Sequence, residues 1–278
     1  MLIRFGYKIT LTSEAPLPLI TLMSPRPERI GDMRTPEQFT TDPGVPVRSY
    51  LDGFGNLCRR MTSPGGTFTI QSDGIIGDSG ITDPVFEGAI EHDVEDLPDE
   101  VLVYLMGSRY CDTDLMMQPT WDLFGHLPRG WSRVQAIVDW VHDHIAFNYG
   151  DADATRTARN AFDQGKGVCR DFAHLAIAMC RCLNIPARYV NGHLGDIGVP
   201  DPGFPMDFSA WMEVYLSGRW WTFDPRNNAP RIGRIVLTHG RDAADVPMIN
   251  SFGAHRLDHF EVWTDAVDER GEKVVVPW

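Results

Sequence analysis

Apolar and polar residues alternate between turn signals up to about residue 90. An amphipathic helix follows, and a second helix is succeeded by several strand-like runs. That order predicts an α+β fold. It consists of an N-terminal antiparallel β-domain (residues 1–95) and a core (residues 96–278) in which one helix packs on an antiparallel sheet, with further strands at the C-terminus.

The first strand is read from MLIRFGYKIT, where Ile3, Phe5, Tyr7 and Ile9 alternate with Arg4, Gly6 and Lys8. YLDGFGNLCRRM (50–61) reads as a hairpin, with Asp52-Gly53 and Gly55-Asn56 as turn formers. GGTFTIQSDG adds another strand. The acidic stretch EHDVEDLPDE (91–100) reads as a solvated connector. Residues 99–107 are expected to form a short helix.

WSRVQAIVDWVHDHIAF (131–147) is the clearest amphipathic helix, with Trp131, Val134, Ile137, Val138, Val141 and Ile145 near one face. His142 and His144 point about 200° apart on such a helix, which argues against a shared metal. The helix after GKGVC ends at Asn184-Ile185-Pro186, because proline disfavours helical geometry in the residue before it. Strands are then expected at 187–194, 209–216, 219–225, 231–240 and 259–265.

A net charge of −13 disfavours nucleic acid and anionic membranes as partners, since a polyanion meets net repulsion. The five cysteines, Cys58, Cys111, Cys169, Cys180 and Cys182, form no CxxC pair, so neither a zinc site nor a disulfide framework is indicated. Reduced thiols fit a cytoplasmic location. No export signal or membrane anchor is evident. No cofactor or metal is implied.

Cys169 stands apart from the other cysteines. It follows the glycine-rich entry Gly165-Lys166-Gly167 and falls in the first turn of its helix, where unpaired backbone N–H groups and the helix dipole favour a thiolate. The bland alternative is a buried cysteine acting as a small hydrophobe. Cys180 and Cys182, deep in the same helix, take that reading.

GVCRDFAHLAIAMCRCLNIPARYVNGHL resembles the nucleophile helix and first strand of the transglutaminase-like superfamily, and AWMEVYLSGRWWTFDPRNN resembles the next two strands. YLDGFGN is similar to a motif of the small β-domain that precedes this core in many bacterial members. The resemblance implies a papain-like arrangement of cysteine, histidine and aspartate on an α+β core. It makes Cys169 the nucleophile and Asp224 the acid that orients the histidine. The histidine would stand directly before Ala210-Trp211, where this chain has Ser209.

Ser217-Gly218 suits a two-residue hairpin. That turn sets Trp211 opposite Asp224, with Ser209 a diagonal neighbour roughly 7–8 Å away. A long side chain at 209 reaches Asp224; serine does not, and its hydroxyl is a poor base near neutral pH. His193, expected to face residue 209 across a strand pair, is one substitute base, against the alternative of a strand-end histidine facing solvent. Asp207 is a weaker candidate. His174, about 140° round the helix from Cys169, is expected in packing. The loop 195–208 is expected to border a substrate groove. Trp211, Trp220 and Trp221 either line that groove or belong to the core.

Two functions follow. One is acyl transfer on an amide or peptide bond through a Cys169 thioester, with water or an amine as acceptor. The other is a peptide-binding module that keeps the groove without the chemistry. In either case the partner is a peptide or protein. Nothing in the residues speaks to oligomeric state.

Overall fold

Twelve of the fourteen strands of the computed structural model, which describes residues 1–200 and 202–277, form three four-stranded antiparallel sheets. The first sheet runs in the order Arg256–Val267, Leu2–Ser13, Gly66–Gly77, Met33–Asp42. The second runs Ile249–Ser251, Leu17–Thr21, Leu57–Ser63, Arg48–Leu51. The third runs Arg219–Phe223, Phe208–Leu216, Ala187–Leu194, Arg234–Gly240. The α+β expectation holds.

The boundary at residue 95 does not separate the strands as expected. Ile249–Ser251 and Arg256–Val267 pair with Leu17–Thr21 and Leu2–Ser13, so the end of the chain completes the N-terminal β unit rather than the core sheet. Alternation along a strand reports which face is buried but not which strand lies beside it.

The 50–61 hairpin forms as expected. Asp52 Oδ1 accepts from the N–H groups of Phe54 (2.8 Å) and Asn56 (2.9 Å), which closes the turn between Leu51 and Leu57. Asn56 then fastens the hairpin to the core sheet. Its Nδ2 donates to the His239 carbonyl (2.8 Å), and its Oδ1 accepts from the His239 N–H (2.8 Å).

Four longer helices follow, Thr113–Phe124, Trp131–His144, Ala158–Gln164 and Cys169–Cys182; the last packs on the third sheet, and the other three pack against that last helix. Trp131, Val134, Ile137, Val138, Val141 and Ile145 are all buried, as the 3.6-residue period requires. The first helix was not anticipated, and Pro119 lies inside it. Proline cannot donate to the Leu115 carbonyl one turn back. Arg159 Nη1 donates there instead, at 3.2 Å. Residues expected as a helix at 99–107 form only the turn Asp99–Leu102 and a 3₁₀ turn, Val103–Leu105.

Two large hydrophobic cores result, beside a small cluster of Leu97, Val101 and Tyr215. One lies between the helices and the third sheet and contains Phe172, Ile177, Met212 and Val214. The other joins Phe5, Tyr7, Ile9 and Phe68 of the β unit to Phe208, Ile235 and Leu237 of the third sheet. Cys169 and Phe208, on either side of the candidate site, belong one to each core.

Candidate active site

The segment before Cys169 is shaped by a buried carboxylate. Gly165, at φ 60°, ends the preceding helix in the left-handed region that glycine tolerates. Lys166-Gly167 then pairs in parallel with Ala146-Phe147. Asp171 Oδ2 reaches back to accept from the Val168 N–H (2.9 Å) and is paired with buried Arg156 (3.1 Å). A Cβ on Gly167 would lie 2.6 Å from that oxygen, so the close approach requires glycine. Cys169 is thereby the first residue of its helix, as the sequence predicts.

The thiol meets the central strand of the third sheet, where the Ala210 backbone hydrogen-bonds to it. Burial nevertheless pushes the Cys169 thiol up to about 11, against that hydrogen bond and Arg226, with Asp207 and Asp224 adding to the rise. Desolvation is the largest cause, and it acts against the thiolate that a helix N-terminus favours.

Cys169 and Ser209 line one cavity of about 40 Å³ with Phe147, Tyr149, Asp207 and Arg226. An adjoining groove of about 320 Å³ shares Phe147, Asp196 and Arg226 and extends to Arg231. The Arg226 guanidinium lies 4.1 Å from the centroid of the Phe147 ring, between the two spaces. The loop 195–208 walls both through Asp196 and Pro202, as expected of it. Sequence reading did not single out Tyr149 or Arg226. The signal for Arg226 was its place directly after the Phe223-Asp224-Pro225 turn.

The hairpin register is as expected: Leu216 faces Arg219, and Met212 faces Phe223. Ser217 (φ 47°) and Gly218 (φ 78°) make the turn. Asp224 follows immediately but engages no histidine. Its Oδ2 accepts from Arg234 Nη2 (2.9 Å) and Asn227 Nδ2 (2.8 Å), and its Oδ1 from the Asn227 N–H (3.0 Å). Burial alone would raise its carboxyl; the Arg234 charge and the Asn227 hydrogen bonds outweigh that and hold it below the usual range. Arg234 also binds Asp83 through Nε (2.8 Å) and lies 4.8 Å from the Trp211 ring centroid. The ring passes so close over Gly192 that a Cβ there would sit 2.6 Å from it.

His193 is not brought to the thiol. It faces Phe208 rather than Ser209, a one-residue difference from the expected pairing; Ser209 faces Gly192. The ring is fully buried in the core shared with the β unit, against Phe5 and Phe208, and its Nδ1 lies 2.9 Å from Thr264 Oγ1. Burial lowers it to about 3. The solvent-facing alternative fails as well, because strand Arg256–Val267 returns to cover that position. His174 sits in packing as expected, stacked on Tyr110, with Nε2 accepting from the Ala243 N–H (3.2 Å). Trp211 and Trp221 are core residues and Trp220 packs on Tyr104; none of the three lines the cavity. Among the described residues, no group of three His, Cys, Asp or Glu side chains is placed to hold a metal ion. No helix among them is long and apolar enough to cross a membrane.

Residues 125–225, which carry the cysteine, the central strand and Asp224, match the model of the transglutaminase-like superfamily. An uncharacterized protein of Mycobacterium tuberculosis is 30% identical over 236 residues, covering 76% of this chain and 73% of that protein. The chain belongs to the transglutaminase-like superfamily. An uncharacterized protein of Mycobacterium leprae is 32% identical over 140 residues, about half of each chain (48% and 49%). A solved structure of a candidate cysteine protease from Cytophaga hutchinsonii superposes with a TM-score of 0.84 at 26% identity, covering all of this chain and 93% of that one. Superfamily membership carries the fold; the chemistry depends on what surrounds Cys169.

Proposed function

We propose that this protein carries out thiol-dependent acyl transfer on an amide or peptide bond, through a thioester on Cys169. The observation that carries the reading is the placement of Cys169 at a helix N-terminus, opening on a cavity that also holds a carboxylate and continues into a groove. The Cytophaga hutchinsonii structure, described as a candidate cysteine protease, supports a peptide-type substrate. Attack by sulfur forms the tetrahedral adduct, and the backbone N–H groups that open the Cys169 helix are of the kind that stabilise a developing oxyanion. Water as acceptor completes hydrolysis; an amine completes transamidation. Five free cysteines fit a reducing compartment such as the cytoplasm.

In this reading Ser209 occupies the place of the superfamily's histidine, and Asp224 has been reassigned to Arg234. A second reading, a peptide-binding module, is favoured by that reassignment and by the neutral thiol. Mass spectrometry separates the two. Incubation with p-nitrophenyl acetate is expected to add one acetyl group to wild type and none to Cys169→Ala. Equal, unspecific labelling of both would leave the binding module as the better account.

A further inference from the structure

We infer that Asp207 carries the proton that a histidine would otherwise move between Cys169 and the departing group. The inference rests on the acyl-transfer reading above and adds to it the identity of the acid and base.

Geometry places Asp207 well for this. It shares the cavity of about 40 Å³ with Cys169 and Ser209, directly before the strand whose Ala210 backbone touches the thiol. Its Oδ1 is engaged by the Phe208 N–H at 2.7 Å. Its Oδ2 has no hydrogen-bond partner among the described residues. The charged and titratable groups around it are Cys169 from the nucleophile helix, Tyr149 from the 149–151 turn, Arg226 after the hairpin, and Asp196 across the loop. His193 and His174 lie elsewhere, and Asp224 is bound to Arg234. Of the other acids lining the cavity, Asp196 lies 3.7 Å from Arg231, and burial and the Asp207 charge push the Tyr149 phenol up, further from neutral pH.

The electrostatics agree in direction. Burial raises the Asp207 carboxyl above its usual range, against the Phe208 N–H and Arg226. A raised carboxyl donates more effectively near neutral pH than an ordinary one. The Asp207 charge in turn helps keep the thiol protonated. The proton therefore rests on sulfur before attack, and Asp207 is the carboxylate beside it that can take it as the carbon–sulfur bond forms.

The step balances. Cys169 sulfur bonds to the carbonyl carbon, and the thiol proton passes to the Asp207 carboxylate. The tetrahedral adduct collapses, the carbon–nitrogen bond breaks, and the leaving amine takes the proton from Asp207. In the second half water or an amine attacks the thioester and yields its proton to Asp207. The proton then returns to the departing Cys169 sulfur.

Asp207→Asn tests this, because the amide keeps an acceptor for the Phe208 N–H and cannot exchange a proton. Wild type, Asp207→Asn and Cys169→Ala are compared on p-nitrophenyl acetate, whose leaving group needs no proton, and on trifluoroethyl acetate, whose leaving group does. Alkylation of Cys169 by iodoacetamide is followed in parallel. The expected result for Asp207→Asn is a loss of about a hundredfold or more on trifluoroethyl acetate. A much smaller loss is expected on p-nitrophenyl acetate. Alkylation should become faster, because a negative charge that raises the thiol has gone. Equal losses on both esters, no loss on either, or slower alkylation overturns the role of Asp207 alone. If wild type and Cys169→Ala turn over both esters alike, the acyl-transfer reading fails and takes this inference with it.

Discussion

Arg234 is the residue whose removal is most informative. Its guanidinium joins Asp83 and Asp224 in a buried cluster, with side-chain exposures of 7% for Arg234, 3% for Asp224 and 15% for Asp83. Arg234→Met keeps the length of the side chain and its contact with Trp211 but strands two carboxylates. Breaking a buried pair by removing one partner costs about 3–5 kcal/mol. Urea unfolding at pH 7.5 is expected to show a loss of that size.

The loss should shrink in acid. In wild type the folded Asp224 carboxyl is depressed, so its contribution is present above the unfolded pKa and is lost as pH falls through the lower folded value. In the variant burial acts unopposed by Arg234 and raises the carboxyl. The penalty is then largest above the raised value and relieved below it, as the group binds a proton in the folded state. Unfolding at pH 7.5 and pH 4.5 should therefore give a smaller difference between the two proteins at the lower pH. A loss under about 1 kcal/mol, or the same loss at both pH values, would refute the claim that Arg234 is what keeps Asp224 ionised.

Three further outcomes follow from the same geometry. The rate of Cys169 alkylation should rise with pH toward a midpoint near 11 rather than the ordinary thiol value of about 8.5, and His193→Ala should leave that midpoint in place; a shift in the variant would mean that the imidazole senses the thiol. Ser209→His alone should change amide hydrolysis less than tenfold, because the carboxylate that would orient the new ring is held by Arg234, and a large gain would show that Asp224 is freely available. Gly167→Ala should destabilise the fold by about 1–3 kcal/mol, measured by urea midpoint, because its Cβ would meet Asp171 Oδ2 at 2.6 Å; a neutral result would mean that the Asp171 cap can move aside.

The sequence disclosed whatever depends on short-range pattern. Five of the six strands from residue 187 onward follow from alternation and turn residues, Ile249–Ser251 being the exception, and the Ser217-Gly218 hairpin fixes the Met212–Phe223 register because a two-residue loop admits few alternatives. The position of Cys169 at the helix start follows from glycine spacing and the proline that ends the helix. The helix that contains Pro119 was not anticipated, and the proline's missing hydrogen bond is offset by Arg159, 40 residues later along the chain.

The surroundings of Cys169 were not legible in the same way. His193 looked like a candidate base by strand position, and a one-residue difference in pairing together with the returning strand Arg256–Val267 enclosed it in a different core. Asp224 was assigned to orient a histidine, and Arg234, ten residues on, holds it instead. Asp207 and Arg226 meet Cys169 only when the 195–208 loop and the hairpin close over the helix. Local sequence determines which side chains each element presents, because helix and strand periods are set within a few residues. Which charges lie within a few ångströms of a thiol, and whether water reaches it, is decided by strands that meet from opposite ends of the chain.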